Sequence, residues 1–76
     1  MQVLATLTEI RKDKMQKWER EDLDVSNNMR YIWLAPYQSK PEVIIGSKGK
    51  LEFVKGSGGQ IGGHWAAWIV KEIVSK

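Results

Sequence analysis

The residues of this chain that could carry out acid–base or metal chemistry are few. Cysteine is absent and His64 is the single histidine, so disulfides, thiolate zinc sites and thiol catalysis are excluded. Glu42, Glu52 and Lys55 are the residue types of a metal-dependent nuclease site, in which an acid and a lysine lie two positions apart on one strand. Glu52 and Lys55 lie three positions apart, so a regular strand directs them to opposite faces. We therefore predict no catalytic residue, no metal ligand and no cofactor.

Aromatic and basic side chains offer a different chemistry, which is the binding of nucleic acid. Between Arg30 and Tyr37, alternation places the rings of Tyr31, Trp33 and Tyr37 on one face of a predicted strand. Rings on an open sheet stack on bases, and nearby cations contact phosphates. The predicted nucleic-acid-binding residues are Arg30, Tyr31, Trp33, Tyr37, Lys48, Lys50 and Lys55. For this strand we favour the interpretation that buries the rings, because so small a core needs its largest side chains. The binding prediction depends on the alternative, an open aromatic face.

The C-terminal segment is unusually apolar for a surface helix. Between His64 and Lys76, apolar residues cover roughly 200° of a helical circumference, about twice the arc that one sheet contact requires. Trp68 falls within the remaining polar arc, which indicates either an exposed indole or a helix that is buried from two sides. An apolar excess of this kind is typical of a protein interface. The predicted interface residues are Trp65, Trp68 and Ile69.

Charge is unevenly distributed along the chain. Residues 1–28 contain five basic and six acidic residues, a balance of −1, whereas residues 29–76 contain seven and three, a balance of +4. The net charge of +3 permits attraction to phosphates without requiring it. The division places the predicted cationic surface on the second part of the chain.

The size of the chain limits both its domain count and its core. Its 76 residues form one small domain, and a domain of this size buries only about 60% of the surface that its unfolded chain exposes. Since disulfides are excluded, self-association as a dimer is the predicted source of support. No apolar run approaches the roughly 18 residues of a membrane span, and the first residues lack a signal-peptide pattern. We therefore expect a cytoplasmic protein.

The elements that would position these residues are predicted from capping and periodicity. Thr6 and Glu9 form a capping box, and an apolar stripe at helical spacing follows it, which predicts a helix over 7–22. Strands are predicted over 30–37, 42–45 and 50–55, with a hairpin connection at 46–49 and a second helix over 64–76, for which a strand is the alternative. The predicted fold is a two-layer α+β domain spanning residues 1–76, in which a three-stranded antiparallel sheet carries an N-terminal and a C-terminal helix (α-β-β-β-α).

A glycine-rich segment, residues 56–63, precedes the last predicted element. A phosphate-binding P-loop would require Lys where His64 stands, and a dinucleotide motif would require glycine at Ile61. We therefore interpret this segment as a flexible connector rather than a ligand cradle.

Two partial family resemblances both point to nucleic acid. The predicted element order, with Gly56-Ser57-Gly58 before Ala66-Ala67, resembles a double-stranded-RNA-binding domain, although the lysine cluster of that family is absent from 60–65. The sequence Gly46-Ser47-Lys48-Gly49 resembles the Gly-x-x-Gly loop of KH domains. The two resemblances imply incompatible structures for residues 42–55, so neither family is assigned.

These observations predict a small, basic, non-catalytic module that binds DNA or RNA. The alternative is a protein-interaction or inhibitor module, of the kind that mobile elements encode. That module would self-associate or bind a protein partner through the tryptophan-rich C-terminal segment. Neither the aromatic nor the C-terminal surface suggests a small-molecule substrate or a membrane.

Overall fold

The chain forms one antiparallel sheet of five strands in a computed structural model, which describes residues 2–57 and 64–76. The strands are β1 (Gln2–Ile10), β2 (Gln16–Arg20), β3 (Tyr31–Leu34), β4 (Lys48–Ser57) and β5 (His64–Ser75). Their order in the sheet is β3-β2-β1-β4-β5, so the first strand of the chain is the central one. The described residues contain no α-helix, and 3₁₀ turns occur at Asn28–Arg30 and Pro36–Gln38.

The predicted α+β fold is therefore wrong, because both of its terminal helices are strands. Residues 7–22 include the end of β1, a hairpin turn and all of β2. Residues 64–76 are almost entirely β5, which is the alternative to a helix that the sequence left open. Val3, Ala5 and Leu7 are buried while the residues between them are not, which is the period of a strand with one buried face. No helix of the described residues is long and apolar enough to cross a bilayer.

Residues 11–15 join β1 to β2 without glycine, proline or asparagine, and residues 12–14 form the tip of this hairpin. The Arg11 N–H donates to the Met15 carbonyl and the Lys14 N–H donates to the Arg11 carbonyl, both at 2.9 Å. Lys14 takes the left-handed conformation (φ 71°) that closes such a loop, and Asp13 Oδ1 accepts from the Met15 N–H at 3.1 Å. Because the loop lacks the usual turn residues, helical spacing continues through it in the sequence.

The middle of the chain follows the prediction in part. The strand predicted over 50–55 is confirmed within β4, and the strand predicted over 30–37 is confirmed only as the shorter β3, because 36–38 is a 3₁₀ turn. Residues 42–45 lie in turns and irregular backbone rather than a strand. The predicted hairpin at 46–49 is wrong as well. Gly46 ends a turn at φ 99°, where its N–H donates to the Leu7 carbonyl at 2.8 Å, and the chain enters β4 beside β1.

The core lies on one face of the sheet and contains a single fully buried tryptophan among the described residues, Trp18 on β2. Trp18 lies opposite Leu7 on β1 and Ile32 on β3. The other buried apolar residues are Val3, Ala5, Leu34, Leu51 and Val70. Because an indole fills the centre of this small core, the aromatic residues of β3 are not needed there.

The sheet curves, and the segment after β3 closes its open side. Gln38 Oε1 accepts from the Ala35 N–H at 2.8 Å, and its Nε2 donates to the Trp68 carbonyl of β5 at 2.9 Å. The Arg20 guanidinium of β2 lies 4.9 Å from the Trp68 ring centroid. Three strand spacings, about 14 Å in a flat sheet, separate β2 from β5, so the contact indicates strong curvature.

The fold also accounts for the glycines that suggested known families. Gly49 lies in β4, where an added Cβ would approach the Glu72 carbonyl oxygen of β5 to 3.0 Å. Gly49 therefore serves backbone packing and Gly46 a left-handed turn, and the helices that either family resemblance implies do not occur in the described residues. Most of the predicted glycine-rich connector, residues 58–63, lies outside the described residues, and β4 pairs with β5 as far as Ser57 opposite His64.

Candidate nucleic-acid interface

The aromatic residues of β3 lie on the face of the sheet opposite the core. Ile32 packs against the core and Leu34 is buried in it, so alternation along β3 directs Tyr31 and Trp33 outward. Their exposed fractions are 39% and 40%. The interpretation that buried these rings is therefore wrong, and no described helix covers this face.

Two cations of the β1–β2 hairpin lie over these rings. Lys17 is paired with Trp33 in the register of β2 and β3, and its Nζ lies 4.7 Å from the Tyr31 centroid and 5.9 Å from the Trp33 centroid. The Arg11 Cζ lies 5.2 Å from the Trp33 centroid. At these distances a cation is attracted by the ring quadrupole. Arg11, Lys17, Tyr31 and Trp33 are called the aromatic–basic surface below.

The hairpin concentrates positive charge beside the aromatic rings. Residues 11–17 contain four basic residues and one acidic residue, a local balance of +3 that equals the net charge of the chain. Arg11 pairs with Asp13 at 2.9 Å, and both side chains are about half exposed. Lys17 makes no ion pair with the described part of the chain. The ammonium of the half-buried Lys17, beside two partly exposed rings, is therefore available to a phosphate.

Arg30, although adjacent to Tyr31, supports the structure instead of extending this surface. Its Nε donates to Glu19 Oε2 at 2.7 Å, and another guanidinium nitrogen donates to the Leu23 carbonyl. This hydrogen bond to the Glu19 carboxylate raises the pKa of Arg30 above its ordinary value. The guanidinium neutralises Glu19, which lies on the same face of β2 as Lys17, and it holds the loop before β3.

The lysines predicted to contact phosphate lie on β4, on the other side of the central strand. Two strands, β1 and β2, separate β4 from β3, so these lysines stand about 14 Å from the aromatic pair in the plane of the sheet. Lys48 pairs with Glu21 at 2.9 Å, and Lys50 lies opposite Glu72 in the register with β5. Lys55 is exposed near the end of β4. The structure therefore does not combine these lysines with the rings.

Tyr37 is 88% exposed in the 3₁₀ turn after β3 and does not belong to the β3 strand face.

The residues predicted to form a protein interface do not share one surface. Trp68 and Ile69 are consecutive on β5 and point to opposite faces, and both are half-buried. The Trp68 ring lies edge-on to Phe53, with centroids 5.3 Å apart, and packs against the core. The side chain of Trp65 lies outside the described residues.

The acidic residues considered for catalysis are also apart. Glu42 pairs with Lys76 at 2.7 Å, and this hydrogen bond lowers the pKa of Glu42 below its ordinary value. Glu52 lies on β4 and accepts from Gln2. In residues 2–57 and 64–76, no three histidine or acidic side chains are grouped closely enough to hold a metal ion.

Arg11 and Lys17 are the functional candidates that the sequence prediction missed. The helical interpretation of 7–22 placed Arg11 within the apolar stripe of that helix and Lys17 on its solvated face. Val3, Ala5 and Leu7 face the core, but Leu4 between them is apolar as well, so the sequence itself lacks the clear alternation that would have predicted this strand and its hairpin. Comparisons of the chain with models of known protein families, with curated proteins and with solved structures find no match.

Proposed function

We propose that this chain is a non-catalytic module that binds exposed bases of single-stranded DNA or RNA on its aromatic–basic surface. The observation that carries the proposal is the position of Lys17, whose ammonium lies over two open rings without a carboxylate partner among the described residues. A nucleic-acid strand contains flat bases and charged phosphates. The aromatic–basic surface contains rings that stack on bases and cations that bind phosphates.

Stacking on Tyr31 and Trp33 supplies the apolar part of the binding. Each base stacked on an aromatic side chain contributes about 1–3 kcal/mol, with little dependence on sequence. A double helix hides its base faces, whereas a single strand exposes them to an open sheet. When a base binds, the cations over the rings either move to the phosphates or stay in place and stack on the base, as a guanidinium plane can.

The ionic part of the binding predicts a definite salt dependence. If Arg11 and Lys17 each neutralise one phosphate, the logarithm of the binding constant falls with the logarithm of salt concentration at a slope of about −1.4. Raising NaCl from 50 to 200 mM then weakens binding about sevenfold. A contact made only by apolar surface would change far less.

The test is fluorescence anisotropy of a labelled twelve-nucleotide oligothymidylate, measured with matched variants over this salt range. Lys17→Ala and Lys71→Ala remove the same charge, the first from the aromatic–basic surface and the second from exposed β5. We expect Lys17→Ala to weaken binding and lower the slope by about 0.7, and Lys71→Ala to leave the slope unchanged. Trp33→Ala should weaken binding about 5- to 150-fold through the loss of stacking. Equal effects of the two lysine variants would refute the proposed surface.

The alternative, a protein-interaction or inhibitor module, receives less support from the geometry. Its predicted residues Trp68 and Ile69 point to opposite faces of β5, and Trp68 packs against the core. A dimer built on this strand would change hydrodynamic size with concentration, so sedimentation of the free protein separates the two functions. We extend the proposal to a cytoplasmic location, since a domain without cysteine needs no oxidising compartment to fold.

A further inference from the structure

The charges around the aromatic–basic surface favour one direction for a bound nucleic-acid strand. Toward β4, Glu19 lies opposite Tyr31 in the register, and the first cation of β4, Lys48, pairs with Glu21 at 2.9 Å. Toward the tip of the β1–β2 hairpin, Lys14 is exposed and makes no ion pair with the described part of the chain. A polyanion stacked on the rings is therefore attracted to the hairpin end of the sheet more than to β4.

A cleft of about 350 Å³ opens at that end of the sheet, where the β1–β2 hairpin meets the segment after β3. Lys14 and Lys40 reach it from these two segments, and Lys40 likewise has no carboxylate partner within residues 2–57 and 64–76. The apolar walls are Ile10, Pro36, Pro41 and Val43. Two free cations beside apolar walls suit a sugar–phosphate unit, which is charged at the phosphate and apolar at the sugar carbons.

One polar side chain of the cleft is buried and has a fixed orientation. Gln16 lines the cleft and is only 7% exposed. Its Oε1 accepts from the Trp18 Nε1–H at 3.0 Å, and because an indole nitrogen only donates, this bond settles the amide orientation. The Gln16 Nε2 makes no hydrogen bond with the described residues, so it can donate to an oxygen of a bound phosphate.

The cleft begins where the aromatic strand ends. Trp33 is the last outward-facing residue of β3, and Pro36 of the cleft wall follows it by three positions, a span of at most about 11 Å. Gln16 and Lys17 are consecutive on β2, so they present the cleft and the aromatic–basic surface on opposite faces of the same strand end. A nucleic-acid strand that passes Trp33 and continues beyond the end of the sheet therefore reaches the cleft.

We propose that this cleft binds the sugar–phosphate backbone of the same strand whose bases stack on Tyr31 and Trp33, whichever bases that strand carries. The inference rests on the proposed function and adds the direction of the strand, from β3 over the hairpin end of the sheet. Lys14 and Lys40 bind phosphates, and Gln16 donates to a phosphate oxygen. Contacts to phosphate position a strand without reading its sequence, so the cleft selects no base.

The added phosphate contacts change the salt dependence of binding. The two cations of the aromatic–basic surface alone give a slope of about −1.4, and two further cations steepen it to about −2.8. Raising NaCl from 50 to 200 mM then weakens the binding of twelve-nucleotide oligothymidylate about fiftyfold instead of about sevenfold. We expect Lys14→Ala and Lys40→Ala each to make the slope about 0.7 less steep, and Lys71→Ala to leave it unchanged.

Oligonucleotides with abasic positions separate backbone contact from stacking. A hexanucleotide with two central thymidines, flanked on each side by two abasic nucleotides, keeps its phosphates but has only two bases. At 50 mM NaCl, wild type should bind it roughly tenfold or more tightly than the thymidine dinucleotide. Lys14→Ala combined with Lys40→Ala should reduce this gain at least threefold. Lys50→Ala combined with Lys71→Ala removes the same charge from β4 and β5 and should retain the gain.

A measurement on wild type removes the dependence on folded variants. In ¹⁵N-labelled protein, oligothymidylate and oligoadenylate of twelve nucleotides should both shift the side-chain amide signals of Gln16. A wild-type slope near −1.4, a gain that both double variants reduce equally, or Gln16 signals that do not move in the complex would each overturn the cleft assignment and leave the proposed function intact. Absence of binding to any of these oligonucleotides at 50 mM NaCl overturns both.

Discussion

Replacing Lys14 by glycine should stabilise the fold while weakening nucleic-acid binding. A left-handed conformation costs a residue with a Cβ about 1–2 kcal/mol, and glycine avoids that cost. Glycine also gains freedom in the unfolded chain, which removes about 0.4–1 kcal/mol of the benefit. From the φ of 71° at Lys14 we therefore expect a net gain of about 0.5–1 kcal/mol in the free energy of unfolding.

Urea titration followed by tryptophan fluorescence measures this gain, since Trp18 is fully buried in the folded state. With a slope of about 1 kcal/mol per molar urea, the midpoint should rise by about 0.5–1 M. In a domain of this size the melting temperature should rise by about 2–8 °C. The affinity for oligothymidylate should fall in the same variant, because one cation of the β1–β2 hairpin is gone.

Two control variants isolate the backbone effect. Lys12→Gly makes the same chemical change two residues earlier, at a described position without a positive φ, and should lower stability by about 0.5–1 kcal/mol. Lys14→Ala removes the charge but keeps the Cβ, so its stability should remain close to that of wild type. If Lys14→Gly proves no more stable than wild type, or follows Lys12→Gly, the strain argument is refuted.

Acid stability and sheet packing provide two further tests. Asp22 accepts a hydrogen bond from Arg20, which lowers the pKa of Asp22 below 3.8 in the folded state. The ionised Asp22 therefore stabilises the fold above that pH, and this stabilisation is lost as the pH falls through the lower pKa of the folded state. Asp22→Asn should therefore flatten the decline of melting temperature between about pH 5 and 2, and an unchanged profile would contradict this linkage. Gly49→Ala should lower the free energy of unfolding by about 1–3 kcal/mol, because its Cβ meets the Glu72 carbonyl oxygen. A urea midpoint equal to that of wild type would contradict this prediction, because it would mean that β4 and β5 move apart without loss of stability.

The parts of the fold that were predictable are those in which local pattern and tertiary environment agree. β3 and β4 have branched and aromatic residues that alternate, and both were recognised as strands. β2 was not recognised, because its core-facing positions are Gln16, Trp18 and Arg20, two of which are polar. Their burial depends on partners elsewhere, such as Asp22 for Arg20, and a pattern of apolar residues cannot report such partners.

The candidate site was predictable only on its aromatic side. Tyr31 and Trp33 were identified from strand alternation, but the side of the sheet that they occupy depended on which tryptophan fills the core. The cations were assigned to β4 because charge was counted along the chain. The sheet order instead places the hairpin with Arg11 and Lys17 beside β3. Which cations accompany the rings depends on which strands are neighbours in the sheet, and sequence spacing does not reveal this.

The amide of Gln38 has a consequence for how copies of this protein behave when crowded together. β5 is twelve residues long and has β4 as its single strand neighbour within the described residues, so its other edge could template the addition of a foreign strand. Gln38 occupies the Trp68 carbonyl on this strand, and charged residues at 71, 72 and 76 follow it. This hydrogen bond removes one free backbone acceptor from the exposed edge of the strand that is richest in branched apolar residues, and so disfavours amyloid-like pairing at that position.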